Sequence, residues 1–301
     1  MGRILITGAS GLVGNALVQA LKGSEHEILR LVRREPRGPD ELGWDPEAGR
    51  LAAEALAGAE ALVHLAGENI ATGRWTRVKK ERIRRSRVLG TRTVTRAFLA
   101  CSRPPPTLLA ASAVGFYGDR GDEELDEGSP PGTGFLAETC RAWEAETLPL
   151  EEAGIRVARM RIGMVLSLRG GALPRLLGPF KLGLGGRIGS GRQWMSWIGL
   201  EDLSRAILFC LKEKALRGPV NLTAPQPVRN AAFARVLASA LGRPACLPLP
   251  APAARLLLGE MADELLLAST RALPRRLLDE GFRFRDEDLE ACLSRLLPRR
   301  L

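Results

Sequence analysis

The sequence is poor in the side chains that enzymes most often use for proton transfer and metal binding. It holds one tyrosine, Tyr117, and two histidines, His26 and His64. Lysine is almost as scarce, with Lys22, Lys79, Lys80, Lys181, Lys212 and Lys214, so the basic charge is nearly all arginine. Cys101, Cys140, Cys210, Cys246 and Cys292 are dispersed, odd in number, and form no CxxC or Cys/His grouping. A zinc site is therefore not expected, and the thiols read as reduced and mostly buried. No apolar run approaches the roughly 20 residues of a membrane span, so no membrane partner is expected. The opening MGRILITGAS runs into a strand without the layout of a signal peptide. These features together point to a cytoplasmic protein.

What is present suits a globular enzyme-sized chain. Over 301 residues, 45% are hydrophobic and 26% charged, enough for one large α/β domain with an appended lobe. The net charge of +10 is spread along the chain. One dense basic run, RWTRVKKERIRRSR at 74–87, has helical spacing with Val78, Ile83 and Leu89 inward. It reads as a solvated helix face or as a reach toward an anionic cofactor. Nucleic acid is not an expected partner, because aromatic interleaving is limited to Trp75.

In the first half, short apolar runs alternate with amphipathic segments. Strands are expected at 3–7, 27–32, 61–66, 107–112 and 157–163, which implies a parallel sheet with right-handed crossovers. After residue 166 the chain turns glycine-rich and loop-like. A helix over 201–214, a short strand GPVNLT and three C-terminal helical stretches follow. The expected organisation is a core over 1–168 and a smaller substrate-side lobe over 169–301, with 201–224 packing back on the core.

ILITGASGLVGNAL places Gly8, Gly11 and Gly14 after a strand and at a helix start. Gly8 suits a tight turn, Gly11 close approach of a pyrophosphate, and Gly14 helix–strand packing, with phosphates at the helix N-terminus. The second strand ends LVRRE. An acid at that end would accept ribose hydroxyls, whereas an arginine suits a 2′-phosphate. Arg33 and Arg34 thus favour NADP(H), with Glu35 close behind.

TGASGLVG (7–14), VHLAG (63–67), ASAVGFYG (111–118) and RIGMVL (161–166) resemble the short-chain dehydrogenase/reductase superfamily, of the extended or atypical kind. LAGENI, GLGGRIGSGRQWMSWI, GPVNLTAP and LPRRLLDEGFRF are similar to a subgroup of NADP-binding, epimerase-like proteins whose physiological reaction is not established. The resemblance implies a Rossmann-type doubly wound sheet with a small C-terminal lobe. It implies that Ser10, Gly11, Leu12, Val13 and Gly14 hold the pyrophosphate and Arg33 the 2′-phosphate. Leu65, Ala66 and Gly67 would line the adenine-proximal side, Arg82 and Arg87 would contact the cofactor, and Val165 would sit near the nicotinamide carboxamide. Glu68 and Asn69 are polar residues at a strand's carboxyl end, beside the crevice where ligands of such folds bind.

The superfamily's usual chemistry needs a tyrosine and a lysine four residues later. Position 121 is glycine, and no lysine lies between Lys80 and Lys181, so this chain cannot form that pair. Counting from Trp143-Glu144 puts Leu136 and Cys140 in the two slots. The superfamily's serine falls at Ala113, with Ser112 one residue before. Tyr117, Glu138 and Cys140 remain as substitutes. Tyr117 is expected at the carboxyl edge of the sheet, as an aromatic platform or a proton donor. His64, inside LVHLAG, reads as a hydrogen-bonded core histidine. On the substrate side, Ser190, Arg192, Gln193, Trp194 and Trp197 form a loop that either closes over the nicotinamide or plugs the two lobes together. Two functions stay open: an NADP(H)-dependent oxidoreductase or nucleotide-sugar-epimerase-like enzyme acting on a small molecule, or a non-catalytic NADP(H) sensor. The substrate and the oligomeric state stay open as well.

Overall fold

A computed structural model describes residues 2–297; the last residues of the expected C-terminal lobe lie outside that range. Seven parallel strands form the central sheet: β1 (Arg3–Thr7), β2 (Glu27–Val32), β3 (Glu41–Gly43), β4 (Ala59–His64), β5 (Thr107–Ala113), β6 (Arg156–Ile162) and β7 (Gly218–Leu222). Their spatial order is 3-2-1-4-5-6-7, the doubly wound Rossmann arrangement, with the order reversing between β1 and β4.

The sheet is covered on both faces, which explains why its inner strands read as continuous apolar runs. Successive side chains point to opposite faces. Ile4, Ile6, Val63 and Leu109 pack with Leu17 and Leu21 of α1 (Leu12–Leu21) and with Leu203 and Ile207 of the helix Leu200–Lys212. Leu5, Leu62, Leu108 and Ala110 pack on the other face against Val94, Ala97 and Phe98 of α2 (Arg77–Ala100). A third cluster, with Phe180, Trp197, Phe233, Leu237 and Leu293, builds the C-terminal part. The strand Arg271–Ala272 pairs with Glu124–Leu125, so the chain returns to the core late in the sequence.

The structure departs from the sequence reading in several places, one of them the helix Leu173–Lys181, which lies in the stretch read as loop-like. The short β3 has no alternating pattern and was not expected. Strand β4 spans 59–64 rather than 61–66, because Leu65 and Ala66 leave the ladder and donate their N–H groups to Thr7 Oγ1 at 3.0 and 3.2 Å. On α2, which Thr76 caps through its side chain, Ile83 is buried but Val78 is 69% exposed. At 3.6 residues per turn the two positions cannot share one narrow face, and the buried face is completed by Gly90, Thr91 and Thr95 instead.

Gly8 and Gly14 set the entry to the crevice. Gly8 has φ +69°, and a Cβ there would lie 2.8 Å from the Ala66 nitrogen. A Cβ on Gly14 would lie 2.2 Å from the Gly8 carbonyl oxygen, a backbone atom that cannot step aside. Gly14→Ala is therefore expected to destabilise the fold by about 1–3 kcal/mol through overpacking, measured as a lower urea midpoint. An unchanged midpoint would show that the turn relaxes.

Candidate functional site

The crevice outside the carboxyl ends of β1, β4, β5 and β6 collects most of the residues singled out above. Gly11 is the N-cap of α1, and its N–H bonds the Gly8 carbonyl at 2.9 Å. No side chain caps the helix and its first turn holds no acid. The N–H groups of that turn and the positive end of the helix dipole are thus left for an external anion. Ser10 and Gly11 are exposed, while Leu12 and Val13 are half-buried. Across from them runs the loop after the strand Met164–Leu166, where a Cβ on Gly171 would lie 3.3 Å from Leu12 and 3.2 Å from the Val165 carbonyl.

At the end of β2 the two arginines part. Arg34 donates from both terminal nitrogens to Glu41 of β3, at 2.7 and 2.8 Å. Arg33 is exposed and forms no hydrogen bond or ion pair among the described residues. Arg33 is therefore the cation free to meet a ligand, and only the arrival of β3 reveals this.

Beyond β4, Leu65 and Ala66 are tied to Thr7, whose hydroxyl also lies 2.8 Å from His64 Nδ1. His64 is a buried, hydrogen-bonded core residue, with a pKa pushed down to about 4 by burial. Gly67 is exposed and lies against the Arg87 guanidinium. Arg87 is half-buried over the Trp143 ring and donates to the Glu68 carbonyl at 3.0 Å. Arg82, on the same helix, is exposed and without a hydrogen bond among the described residues. Glu68 accepts from Lys79 Nζ at 2.6 Å, and Asn69 caps a turn by accepting from the Ala71 N–H at 2.9 Å. The sequence reading did not single out Lys79, whose partner lies 11 residues away.

The candidates for proton transfer are not in the crevice. The expectation that Tyr117 lines it fails. The side chain is 0% exposed, and its hydroxyl lies 2.7 Å from Asn221 Oδ1 and 2.8 Å from the Asp126 carbonyl, and accepts from Arg161 Nη1 at 3.0 Å. Burial pushes the phenol up to about 12. Neither role expected of it, platform or donor, survives such enclosure. Ser112 fails likewise: it is buried and donates to Glu144 Oε1 at 2.6 Å, while Arg161 clamps both oxygens of Glu144 at 2.9 Å. Cys140, on α3 (Phe135–Ala145), is buried, and that burial pushes its thiol up to about 11, away from the thiolate form that a nucleophile needs. Glu138 is exposed. Leu136, in the tyrosine slot, packs in an apolar cluster with Trp75, Ile83 and Met261. What reaches the start of α3 is Glu264, which accepts the N–H groups of Phe135 and Leu136 at 2.9 and 3.1 Å across 128 or more residues.

The loop assigned to the substrate is largely structural. Trp197 is 0% exposed in the third apolar cluster and donates to the Gln226 carbonyl at 3.0 Å. Gln193 is buried and donates to the carbonyls of Ile188 and Leu266 at 3.0 and 2.8 Å. Both are corrected from substrate contacts to packing residues, because each is buried and the Trp197 indole N–H and the Gln193 amide nitrogen already serve backbone carbonyls. Trp194 lies beneath the guanidiniums of Arg229 and Arg271. Ser190 remains exposed. Among the described residues no group of three or more His, Cys, Asp or Glu is placed to hold a metal, and no helix is long and apolar enough to cross a membrane.

As the sole tyrosine, Tyr117 can be titrated by absorbance near 295 nm. The native protein is expected to show no phenolate between pH 10 and 11, whereas the denatured chain titrates near 10. Above pH 10 the unfolded state therefore loses this proton first, and native stability falls as pH rises toward 12. A native titration near pH 10 would mean that the hydroxyl is open to solvent.

Residues 4–222 match the model of the NAD dependent epimerase/dehydratase family, and residues 249–296 match a domain of unknown function, DUF1731. An epimerase family protein of Mycobacterium tuberculosis is 45% identical over 291 residues, covering 97% of this chain and 96% of that one. The human epimerase family protein SDR39U1, solved with NADPH, superposes with a TM-score of 0.89 at 33% identity over 99% of both chains. A nucleoside-diphosphate sugar epimerase from Corynebacterium glutamicum superposes at 0.82 with 40% identity, over 98% of this chain and 58% of that one. Doubly wound sheet, glycine turn and sequence likeness agree: the chain belongs to the NAD dependent epimerase/dehydratase family.

Proposed function

We propose that this is an NADP(H)-binding oxidoreductase or epimerase-like enzyme that works on a small molecule without the Tyr-xxx-Lys pair. The observation that carries the reading is the uncapped, acid-free start of α1 behind a glycine turn, with Arg33 left free at the end of β2. The site fits the cofactor: side chains on Gly8 or Gly14 would fill the turn, and the donors there suit a pyrophosphate. Ser10 to Gly14 would hold the pyrophosphate. Arg33 and Arg82 would hold the 2′-phosphate, and Leu65 to Gly67 would flank the adenosine. Arg87 holds the loop that carries Glu68. Val165 would stand toward the nicotinamide. The likeness to an NADPH-bound human relative supports the phosphorylated form. In this reading residues 1–168 carry the cofactor and 169–301 complete the substrate side, with exposed Asn69 from the first part and exposed Ser190 from the second offered to the substrate.

When bound, the nicotinamide supplies or takes up a hydride. The chain positions it, but offers no phenol or thiol in the crevice to move the accompanying proton. That enclosure of Tyr117 and Ser112 favours the second reading, a sensor whose partner responds to the cofactor's redox state. NADPH oxidation against a carbonyl panel separates the two: turnover supports the enzyme, and tight binding without turnover supports the sensor.

NADP(H) is expected to bind more tightly than NAD(H). Loss of a charged phosphate contact is worth about 1.5–3 kcal/mol, or roughly 10- to 150-fold. Arg33→Ala is expected to erase the preference in calorimetry and to leave NAD(H) binding nearly unchanged, whereas Arg34→Ala, which frees Glu41, acts chiefly on the β2–β3 edge. Equal affinities in the native protein would remove the proposal.

A further inference from the structure

We propose that Lys79 is a specificity-determining residue of the nucleotide site: by neutralising Glu68 it lets the site accept a 2′-phosphate in preference to a free ribose hydroxyl. The inference rests on the cofactor reading above and deepens it.

Lysine is almost never fully buried unless it is paired. Lys79 is the one buried lysine among the described residues. Its ammonium donates to the Glu68 carboxylate at 2.6 Å and to the Thr72 hydroxyl at 3.1 Å. Thr72 in turn donates to the Asn69 carbonyl at 3.3 Å, so the loop that carries Glu68 also encloses its partner. Glu68 is fixed on both sides of its own peptide: its N–H bonds Ser86 Oγ at 2.9 Å and its carbonyl accepts from Arg87. Yet the Glu68 side chain stays 34% exposed, against 6% for Lys79. The acid faces outward and the base stands behind it.

Glu68 stands within the field of the two cations assigned to the 2′-phosphate. The hydrogen bond from Lys79, with further help from the Arg82 and Arg33 charges, holds the Glu68 carboxyl below its usual range. An uncompensated carboxylate there would compete with a phosphate for Arg33 and Arg82 and repel it. It would also accept ribose hydroxyls, the habit of acids in NAD sites. Lys79 weakens both effects. Lys80, the neighbouring residue, cannot stand in, because it points to another face of α2 and pairs with Glu260 at 2.8 Å.

The test is calorimetric titration of NADPH and of NADH into the native protein, Lys79→Met, Glu68→Gln and the double variant, with thermal melts alongside. Lys79→Met keeps the buried stem and removes the charge. It is expected to weaken NADPH by about tenfold or more while NADH is unchanged or tighter. The double variant is expected to return NADPH affinity to within about threefold of native. Glu68→Gln alone is expected to fold and to shift the ratio further toward NADPH; it carries the test if Lys79→Met does not fold. Equal weakening of both nucleotides by Lys79→Met, a double variant no better than Lys79→Met, or a Glu68→Gln ratio equal to native would overturn the inference. A native chain that binds neither nucleotide overturns the cofactor reading itself, and is seen in the first titration.

Discussion

The half of the molecule that ought to hold the chemistry is organised by one buried ion pair. A guanidinium and a carboxylate taken out of water are costly unless each is fully hydrogen-bonded. Arg161 of β6 and Glu144 of α3 meet that demand together, with Ser112 of β5 completing the carboxylate and Tyr117 the guanidinium. Phe116 closes one face, its ring centre 3.5 Å from the Arg161 guanidinium carbon. The network then passes through Tyr117 to Asn221 of β7, and from Asn221 to the Leu273 carbonyl at 2.9 Å. Three neighbouring strands, one helix and the late returning chain must all be in register for every member to be satisfied. The pair is thus a constraint on assembly as much as a source of stability.

The same constraint explains the missing acid. In this fold the groups that could move a proton sit at the ends of β5 and in α3, and here they have been drawn inward. Ser112 and Tyr117 serve Arg161, and Cys140 is enclosed beside them. The crevice is therefore lopsided. Its β1–β2–β4 side offers the uncapped start of α1 and Arg33, which has no partner among the described residues, while the start of α3 presents apolar Leu136 and a carboxylate borrowed from Glu264. Family membership is a statement about the fold and the nucleotide turn. The reaction depends on the particular groups left in the crevice, and among the described residues these are sparse for proton transfer.

Glu264 and Glu68 illustrate how the chain uses acids at this site. Glu264 satisfies the first N–H groups of α3, the task an N-cap side chain usually performs, because Gly134 with φ +101° offers none. Glu68 is held by a lysine one helix away. Each acid is matched to a specific donor, and the first turn of α1 holds no acid to offset its positive end. That is the condition under which a phosphate is worth binding.

Much of the fold was legible from the residues in order. Strand–turn–helix at 3–21, the apolar runs of β2, β5 and β6, and the glycine turn all depend on neighbours a few positions apart, where period and turn chemistry act directly. So did the impossibility of a Tyr-xxx-Lys pair, which is arithmetic on composition. The phase of α2 at Val78 is not legible, because a basic run has too few apolar residues to define a face. The site's side chains were another matter. Arg33 and Arg34 are equivalent on paper and differ only because Glu41 arrives from β3. Tyr117 and Ser112 look exposed at the end of a strand until Arg161, 44 residues on from Tyr117, needs them. Trp197 and Gln193 look like a ligand wall until backbone carbonyls as distant as Leu266 claim the Gln193 amide. Local sequence decides where the backbone turns, because those forces reach only a few residues. Which polar group is spent and which remains free depends on partners brought together by folding, and no spacing along the chain encodes that.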